Sequence, residues 1–368
     1  MRSNQTQEIH LVVGARPNYI KANPVYQALA ELNRFDLKLI NTGQHYDHNM
    51  STLFFEELKM KSPDINLEVG SDSHGVQTAK IMERYEKVLM DKTPNLVIVF
   101  GDVNSTIACA LAAVKLHISV AHVEAGLRSF DRSMPEEINR ILTDQISELL
   151  FITSPEAETN LNNEGVSSNN IHFVGNTMID SLVAFQDHFA ASTIKDKLNL
   201  DQSYALMTFH RPSNVDQYKS LKNLVQALEK VSETLDCVFP IHPRTRKKLD
   251  DFGFLNRLQL NPRFHILDPI GYIDFMRLQK DASVILTDSG GLQEESTFFG
   301  VPCLTVRDNT ERPVTITHGT NKLIGTDYSN IPNEIEKALT SQKGSSMCPD
   351  LWDGKSAERI RKVLVNLF

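Results

Sequence analysis

The sequence predicts an α/β protein made of two doubly wound domains, each a parallel sheet with helices on both faces. Three observations carry that reading. The 368 residues exceed what one ordinary hydrophobic core organises. Apolar, strand-like runs alternate with helical patterns along the whole chain. Polar and charged residues gather in the turns just after those runs, where open α/β sheets place their ligands.

In the first half, "IHLVVG", "DLKLINT", "NLVIVFG", "ISVAHVEAG" and "LLFITS" read as buried strands, with "AKIMERYEKVLMDK" and "TIACALAAVKLH" as helices between them. Such alternation implies right-handed βαβ crossovers. The second half repeats the rhythm. There "YALMTFHR", "CVFPIHP", "FHILDPIG", "ASVILTD" and "VPCLTV" are strands, separated by the helices "YKSLKNLVQALEKVSETL", "YIDFMRLQKD" and "LQEESTFFG". In "FVGNTMIDSLVAFQ" a strand ends in Gly-Asn and a helix leads into polar sequence, which sets a hinge around Asn176 to Ser181. The expected domains are therefore residues 1–176 and 177–352. The last segment, 353–368, has helical apolar spacing and is expected to pack back on the first domain.

Composition narrows the function classes. With 41% hydrophobic and 23% charged residues the chain is a soluble globular protein. A net charge of −8 argues against a nucleic-acid surface, so an anionic ligand must meet a focused site. The polar "MRSNQTQE" runs straight into "IHLVVG", too short for a signal segment or a membrane span, which makes the cytoplasm the expected location. Four scattered cysteines without CxxC spacing, and the lack of HxH or HExxH, predict neither a disulfide framework nor a metal site.

Six turns carry candidate chemistry. In "GARPNYIKANP", Gly14 turns the chain while Arg16 and Lys21 bring cations to a helix start, which suits a phosphate or simply a solvated βα turn. "FGDVNST" places Asp102 at a strand's carboxyl end, as a helix cap or a functional acid. "HVEAGLRSFDRSMPEEINR" puts Glu124 after a strand, then Arg128 and Arg132, then Pro135 with Glu136 and Glu137 in a first helical turn. That composition fits an acid/base site or a structural ion pair, with a helix-dipole role as the alternative for one of the two glutamates.

"HRPSN" and "IHPRTRKK" set His210 beside Arg211 and His242 beside Arg244 at two equivalent strand ends, which favours an anionic ligand over a metal. In "TDSGGLQEE", Ser289, Gly290 and Gly291 let backbone N–H groups approach a diphosphate at a helix start, and Glu294 or Glu295 can accept from ribose hydroxyls. The bland alternative is a glycine-rich turn with acids at a helix start. No βα turn contains GxGxxG, which argues against a tightly held nicotinamide, so no cofactor is expected.

Taken together, "GARPNYIK", "TGQHYD", "GDVNST", "HVEAGLRS", "PEEINR", "HRPSN" and "DSGGLQEE" through "ERP" resemble the non-hydrolysing UDP-N-acetylglucosamine 2-epimerases, in the family's order and over most of the chain. The resemblance implies a GT-B fold of two Rossmann-like domains facing across a cleft, a homodimer, and no redox cofactor. It implies that Asp102, Glu124, Glu136 and His210 form the catalytic set together with Lys21. Arg16, Arg211, His242, Phe275, Ser289, Gly290, Gly291, Glu295 and Arg312 would bind the UDP-sugar. Gln44 and His45 match regulatory positions of substrate-activated members, although Asp47 departs from the glutamine found there. The implied reaction interconverts UDP-GlcNAc and UDP-ManNAc through loss and re-addition of UDP. A related subgroup acts on UDP-diacetamido-glucuronic acid; a hydrolysing epimerase and a GT-B glycosyltransferase are more distant alternatives.

Overall fold

The structure is a computed structural model that describes residues 6–43, 60–200, 202–340 and 348–368. The chain forms two compact units, Met1–Ala184 with Asp350–Phe368, and Phe185–Pro349.

The sheet of unit 1 contains β1 (Gln7–Val13), β2 (Phe35–Asn41), β3 (Ile65–Asn66), β4 (Leu96–Phe100), β5 (Ser119–Ala125), β6 (Leu149–Ile152) and β7 (Ile171–Phe173), in the order β3-β2-β1-β4-β5-β6-β7. Every pairing is parallel. Its helices of eight residues or more before residue 185, among the described residues, are α1 (Arg16–Ala30), α2 (His74–Asp91), α3 (Asn104–Lys115), α4 (Pro135–Ile146), α5 (Pro155–Asn163) and α6 (Thr177–Ala184). The continuous apolar run of β4, "LVIVF", is buried at all five positions, as a strand covered on both faces must be.

Unit 2 repeats the plan. Strands β8 (Tyr204–Thr208), β9 (Asp236–Pro240), β10 (Phe264–Leu267), β11 (Val284–Thr287), β12 (Cys303–Thr305) and β13 (Asn321–Leu323) lie in the order β10-β9-β8-β11-β12-β13, again all parallel. Its longer helices are α7 (Tyr218–Val231), α8 (Pro243–Asp251), α9 (Tyr272–Asp281), α10 (Gly290–Phe299) and α11 (Ile331–Thr340). Both sheets therefore follow the Rossmann-like order, whose direction reverses between β1 and β4 in one unit and between β8 and β11 in the other. Ligands of such sheets bind beyond the strand ends at that reversal.

The first unit runs past the expected boundary at 176, because α6 packs on α1 instead of opening the second unit. The C-terminal helix α12 (Ser356–Leu367) also belongs to unit 1. Asp180 of α6 fastens its start, accepting from Ser356 N at 3.1 Å and Ala357 N at 2.7 Å. Trp352, just before it, donates Nε1 to Thr153 O at 3.0 Å.

Candidate functional site

In unit 1 the residues of three turns meet beyond the ends of β1, β4 and β5. A Cβ on Gly14 would overlap Ser105 and Thr42, whose hydroxyls share a 2.7 Å hydrogen bond across the turn, so glycine is required for close packing. Asn18 ties this turn to the end of β4: its Oδ1 accepts from Ala15 N at 3.0 Å and its Nδ2 donates to Phe100 O at 2.8 Å. One turn further along α1, Lys21 is buried with its ammonium paired to Glu124, itself buried. The lysine expected to attract a phosphate is thus committed to a carboxylate.

Glu124 sits in a strained place. The register of β5 against β6 shifts between Val123 and Ala125, and Glu124 has φ of 76°. A bulge with a non-glycine residue in the left-handed region re-aims the side chain and costs on the order of 1–3 kcal/mol. The pairing with Lys21 offsets part of that cost. Gly101, whose φ is 63°, abuts the same pair: a Cβ there would come within 3.2 Å of Lys21 Nζ and 4.0 Å of Glu124 Oε1. The next residue is Asp102, so the β4 and β5 acids are brought to one end of the sheet. Asp102 does not cap α3, whose N-cap is Val103 with no side-chain capping bond.

The two acids opening α4 divide their roles. Glu137 is 1% exposed and accepts from Ser129 N and Oγ at 3.0 Å each and from Phe130 N at 2.8 Å, which fixes the loop before the helix. Glu136 is only half-buried. Arg128 is buried between Asp144, at 2.7 Å, and Glu164, at 2.7 Å, so that arginine is structural. Behind the site, buried His122 lies 2.7 Å from Asp144 Oδ1 and 2.7 Å from the carbonyl of Gly101, supporting the turn that carries Asp102.

In unit 2 the centre is Asp288, fully buried after β11. Its carboxylate accepts from His210 N at 3.1 Å, Arg211 N at 2.9 Å and Asn214 Nδ2 at 3.0 Å, and His210 Nδ1 lies 3.0 Å away. Burial alone would raise its pKa; the hydrogen bond and charge of His210, with the donors from Asn214 and Arg211, hold it below the ordinary carboxylate value. The Arg211 side chain reaches Asp288 O at 2.9 Å. His242 caps α8, accepting from Arg244 N at 3.1 Å, and its ring centroid is 5.5 Å from that of His210. Arg244 itself is bound to Asp216 at 2.6 Å.

Ser289 is the N-cap of α10 and has no side-chain capping bond. The space a Cβ on Gly290 would need is occupied by Glu311 Oε1 at 2.6 Å and Arg312 Nη1 at 2.7 Å. Arg312 is buried against Glu311 and, at 3.0 Å, Glu294. Glu295 is buried beside Tyr272, whose hydroxyl pKa is pushed well above its usual value by burial and by that negative charge. Phe275, on α9, is partly buried and packs against the core of unit 2.

Asp102, Glu124 and Lys21 thus share one sheet end in unit 1, and His210, Arg211, His242 and Ser289 share one in unit 2. Arg16 begins α1, within two residues of Asn18. Gln44 and His45 lie outside the described residues. Sequence reasoning passed over Asn18, His122, Arg140 and Asp288; only Asp288 left a signal, as the acid that ends a strand directly before Ser-Gly-Gly. Among the described residues no group of three or more His, Cys, Asp or Glu could hold a metal ion, and no helix is long and apolar enough to cross a membrane.

Comparison with known proteins agrees with this architecture. The family model for UDP-N-acetylglucosamine 2-epimerase matches residues 27–365. A UDP-N-acetylglucosamine 2-epimerase of Methanococcus maripaludis is 44% identical over 98% of each chain. A UDP-2,3-diacetamido-2,3-dideoxy-D-glucuronate 2-epimerase of Pseudomonas aeruginosa is 41% identical over 98% of this chain and 100% of its own. The crystal structure of the Methanocaldococcus jannaschii UDP-GlcNAc 2-epimerase in complex with UDP-GlcNAc and UDP matches with a TM-score of 0.91 at 43% identity, over 98% of this chain and 99% of its own. With two Rossmann-like units in one chain, the fold is GT-B.

Proposed function

The chain belongs to the UDP-N-acetylglucosamine 2-epimerase family, and from that premise we propose that it interconverts UDP-GlcNAc and UDP-ManNAc without hydrolysing them. The C2 hydrogen of an N-acetylated sugar is not beside a carbonyl and is barely acidic. Loss of UDP from C1 builds positive character in the ring and acidifies that hydrogen. A carboxylate takes the proton as the C1–O bond breaks, leaving 2-acetamidoglucal and UDP. Delivery of a proton to the opposite face of C2 and return of UDP to C1 complete the inversion.

The observation that carries this reading is the strained, buried Glu124 held by Lys21 beside the Gly101–Asp102 turn. Strain at a buried carboxylate is kept where function needs it. Asp102, Glu124 and Glu136 share the proton work, for which positioned acids and bases supply on the order of 10²–10⁴ in rate. His210, Arg211, His242 and the Ser289–Gly291 turn serve the departing UDP through N–H donors, a helix start and cationic side chains. Arg16 and Arg312 add positive charge, Glu295 takes the ribose hydroxyls, and Phe275 lies near the uracil. We extend the reading to a cytoplasmic homodimer that supplies a sugar nucleotide for cell-surface polysaccharide.

Proton NMR of UDP-GlcNAc with the protein in deuterated buffer tests the proposal. UDP-ManNAc bearing deuterium at C2 is expected; free UDP with ManNAc, or no change at C2 even after prolonged incubation, would contradict it. The 41% relative named for UDP-2,3-diacetamido-2,3-dideoxy-D-glucuronate supports a second reading, in which that sugar nucleotide is the substrate. Offering both in one assay decides between them.

A further inference from the structure

Helix α4 carries a side chain that the reading above leaves unused. Arg140 is 1% exposed and is the largest fully buried side chain among the described residues. None of its Nε, Nη1 and Nη2 atoms has a hydrogen-bond partner among those residues. A buried guanidinium offers five donors and is costly to bury unless they are used. Two carboxylates face it: Glu137 Oε2 lies 3.5 Å from Nη1, and Asp102 Oδ2 lies 3.7 Å from Nη2.

Glu137 is already occupied by the three donors from Ser129 and Phe130. Asp102 has open capacity, since its side chain is 24% exposed and caps no helix. The residue before Arg140 holds Asp102 from the same helix: Asn139 Nδ2 donates to the Asp102 carbonyl at 2.9 Å. Glu136 is one turn earlier, four residues from Arg140, and so shares that face. One helix face therefore meets Asp102 at its backbone and its carboxylate while carrying a second acid.

We propose that Arg140 is a positioning residue for proton transfer: its fork orients the Asp102 carboxylate from inside unit 1. The inference rests on the role given to Asp102 above. A movement of under 1 Å turns the 3.7 Å contact into a charge-assisted hydrogen bond of about 2.8 Å, and catalytic hydrogen bonds commonly tighten in this way when substrate binds. Arginine is suited to the task because its planar donors fix a carboxylate in two dimensions, which a lysine ammonium cannot do.

A double-mutant cycle tests it with R140M, D102N and the combined variant, reading kcat, KM for UDP-GlcNAc and the UDP dissociation constant. R140M is expected to lower kcat by about 30-fold or more while KM and UDP affinity stay within about 3-fold, and R140K to recover part of the loss. In the D102N background the second substitution is expected to cost less than about 3-fold, because the group it orients is gone. Equal losses in both backgrounds would overturn the inference, as would an R140M enzyme with unchanged kcat. Near-normal turnover by D102N alone would instead remove Asp102 from the reaction, and the inference with it. Should R140M fail to fold, R140K carries the same cycle with the charge retained.

Discussion

The two units share a topology and differ in what they do at its reversal. Both sheets run in the same Rossmann-like order, and both gather polar residues beyond the strands where that order turns. In unit 1 the central carboxylate, Glu124, sits on a bulge with φ of 76° and is paired with buried Lys21. In unit 2 the central carboxylate, Asp288, follows a regular strand and is saturated by donors from His210, Arg211 and Asn214. A buried acid on strained backbone suits proton exchange, the role proposed above for Glu124, whereas an acid saturated by donors suits an anchor that fixes the groups around it. The contrast teaches that the fold supplies the place and the local backbone decides between chemistry and binding.

The comparison breaks first at Glu124. E124Q keeps the shape of the side chain and removes its basicity, so turnover should fall on the order of 10²–10⁴-fold in a coupled epimerase assay. If turnover stays near that of the parent protein, the strained carboxylate is not the reactive one.

Asp288 should respond as an anchor. D288A leaves buried donors without their acceptor and should cost about 3 kcal/mol in urea unfolding, with weakened UDP binding. The pH dependence has a definite sign. Because the folded pKa of Asp288 is lowered, its contribution is present at neutral pH and is lost as acidification moves through the ordinary carboxylate range and below. The acid-side loss of Tm should therefore be shallower in D288N than in the parent protein.

A smaller effect separates packing from ligand approach at the glycine turn. G290A must displace Glu311 and Arg312, which are buried and paired, so a loss of about 2 kcal/mol in stability is expected even without ligand. Unchanged stability with weakened UDP binding would show that the glycine serves the nucleotide alone.

The smallest expectation concerns the thiols. Cys109, Cys237 and Cys303 are buried and Cys348 is exposed. Burial pushes the Cys237 thiol up to about 12 and the Cys303 thiol up to about 11. Ellman's reagent should thus react rapidly with one thiol of the native protein and with the others only after unfolding.

How much of this was legible follows from what each element buries. The run of β4 declared itself because all five of its residues are buried and apolar. β3 and β13 did not, being two and three residues long and partly polar. Helix α8, "PRTRKKLDD", buries only Thr245 and Leu249, too few apolar positions to show a period. At the site, residue types at strand ends pointed to Glu124, Asp102 and His210. Residue types alone could not tell Glu137 from Glu136; the family resemblance chose Glu136, and the fold shows Glu137 spent on the Ser129–Phe130 loop. Nor could it show the left-handed backbone at Glu124, because a bulge depends on its partner strand. Arg140 was hidden for a similar reason: in sequence it is one more charge on an amphipathic helix, and only packing makes it the largest fully buried side chain among the described residues.

The central claim, that the acids of unit 1 carry the proton while unit 2 holds the nucleotide, is tested most directly by titrating UDP into E124Q in a calorimeter. UDP affinity within about 3-fold of the parent protein is expected, because the substitution changes proton chemistry and leaves the anchor at Asp288 intact. A loss of affinity of about 30-fold or more would place Glu124 in nucleotide binding and contradict the division of labour.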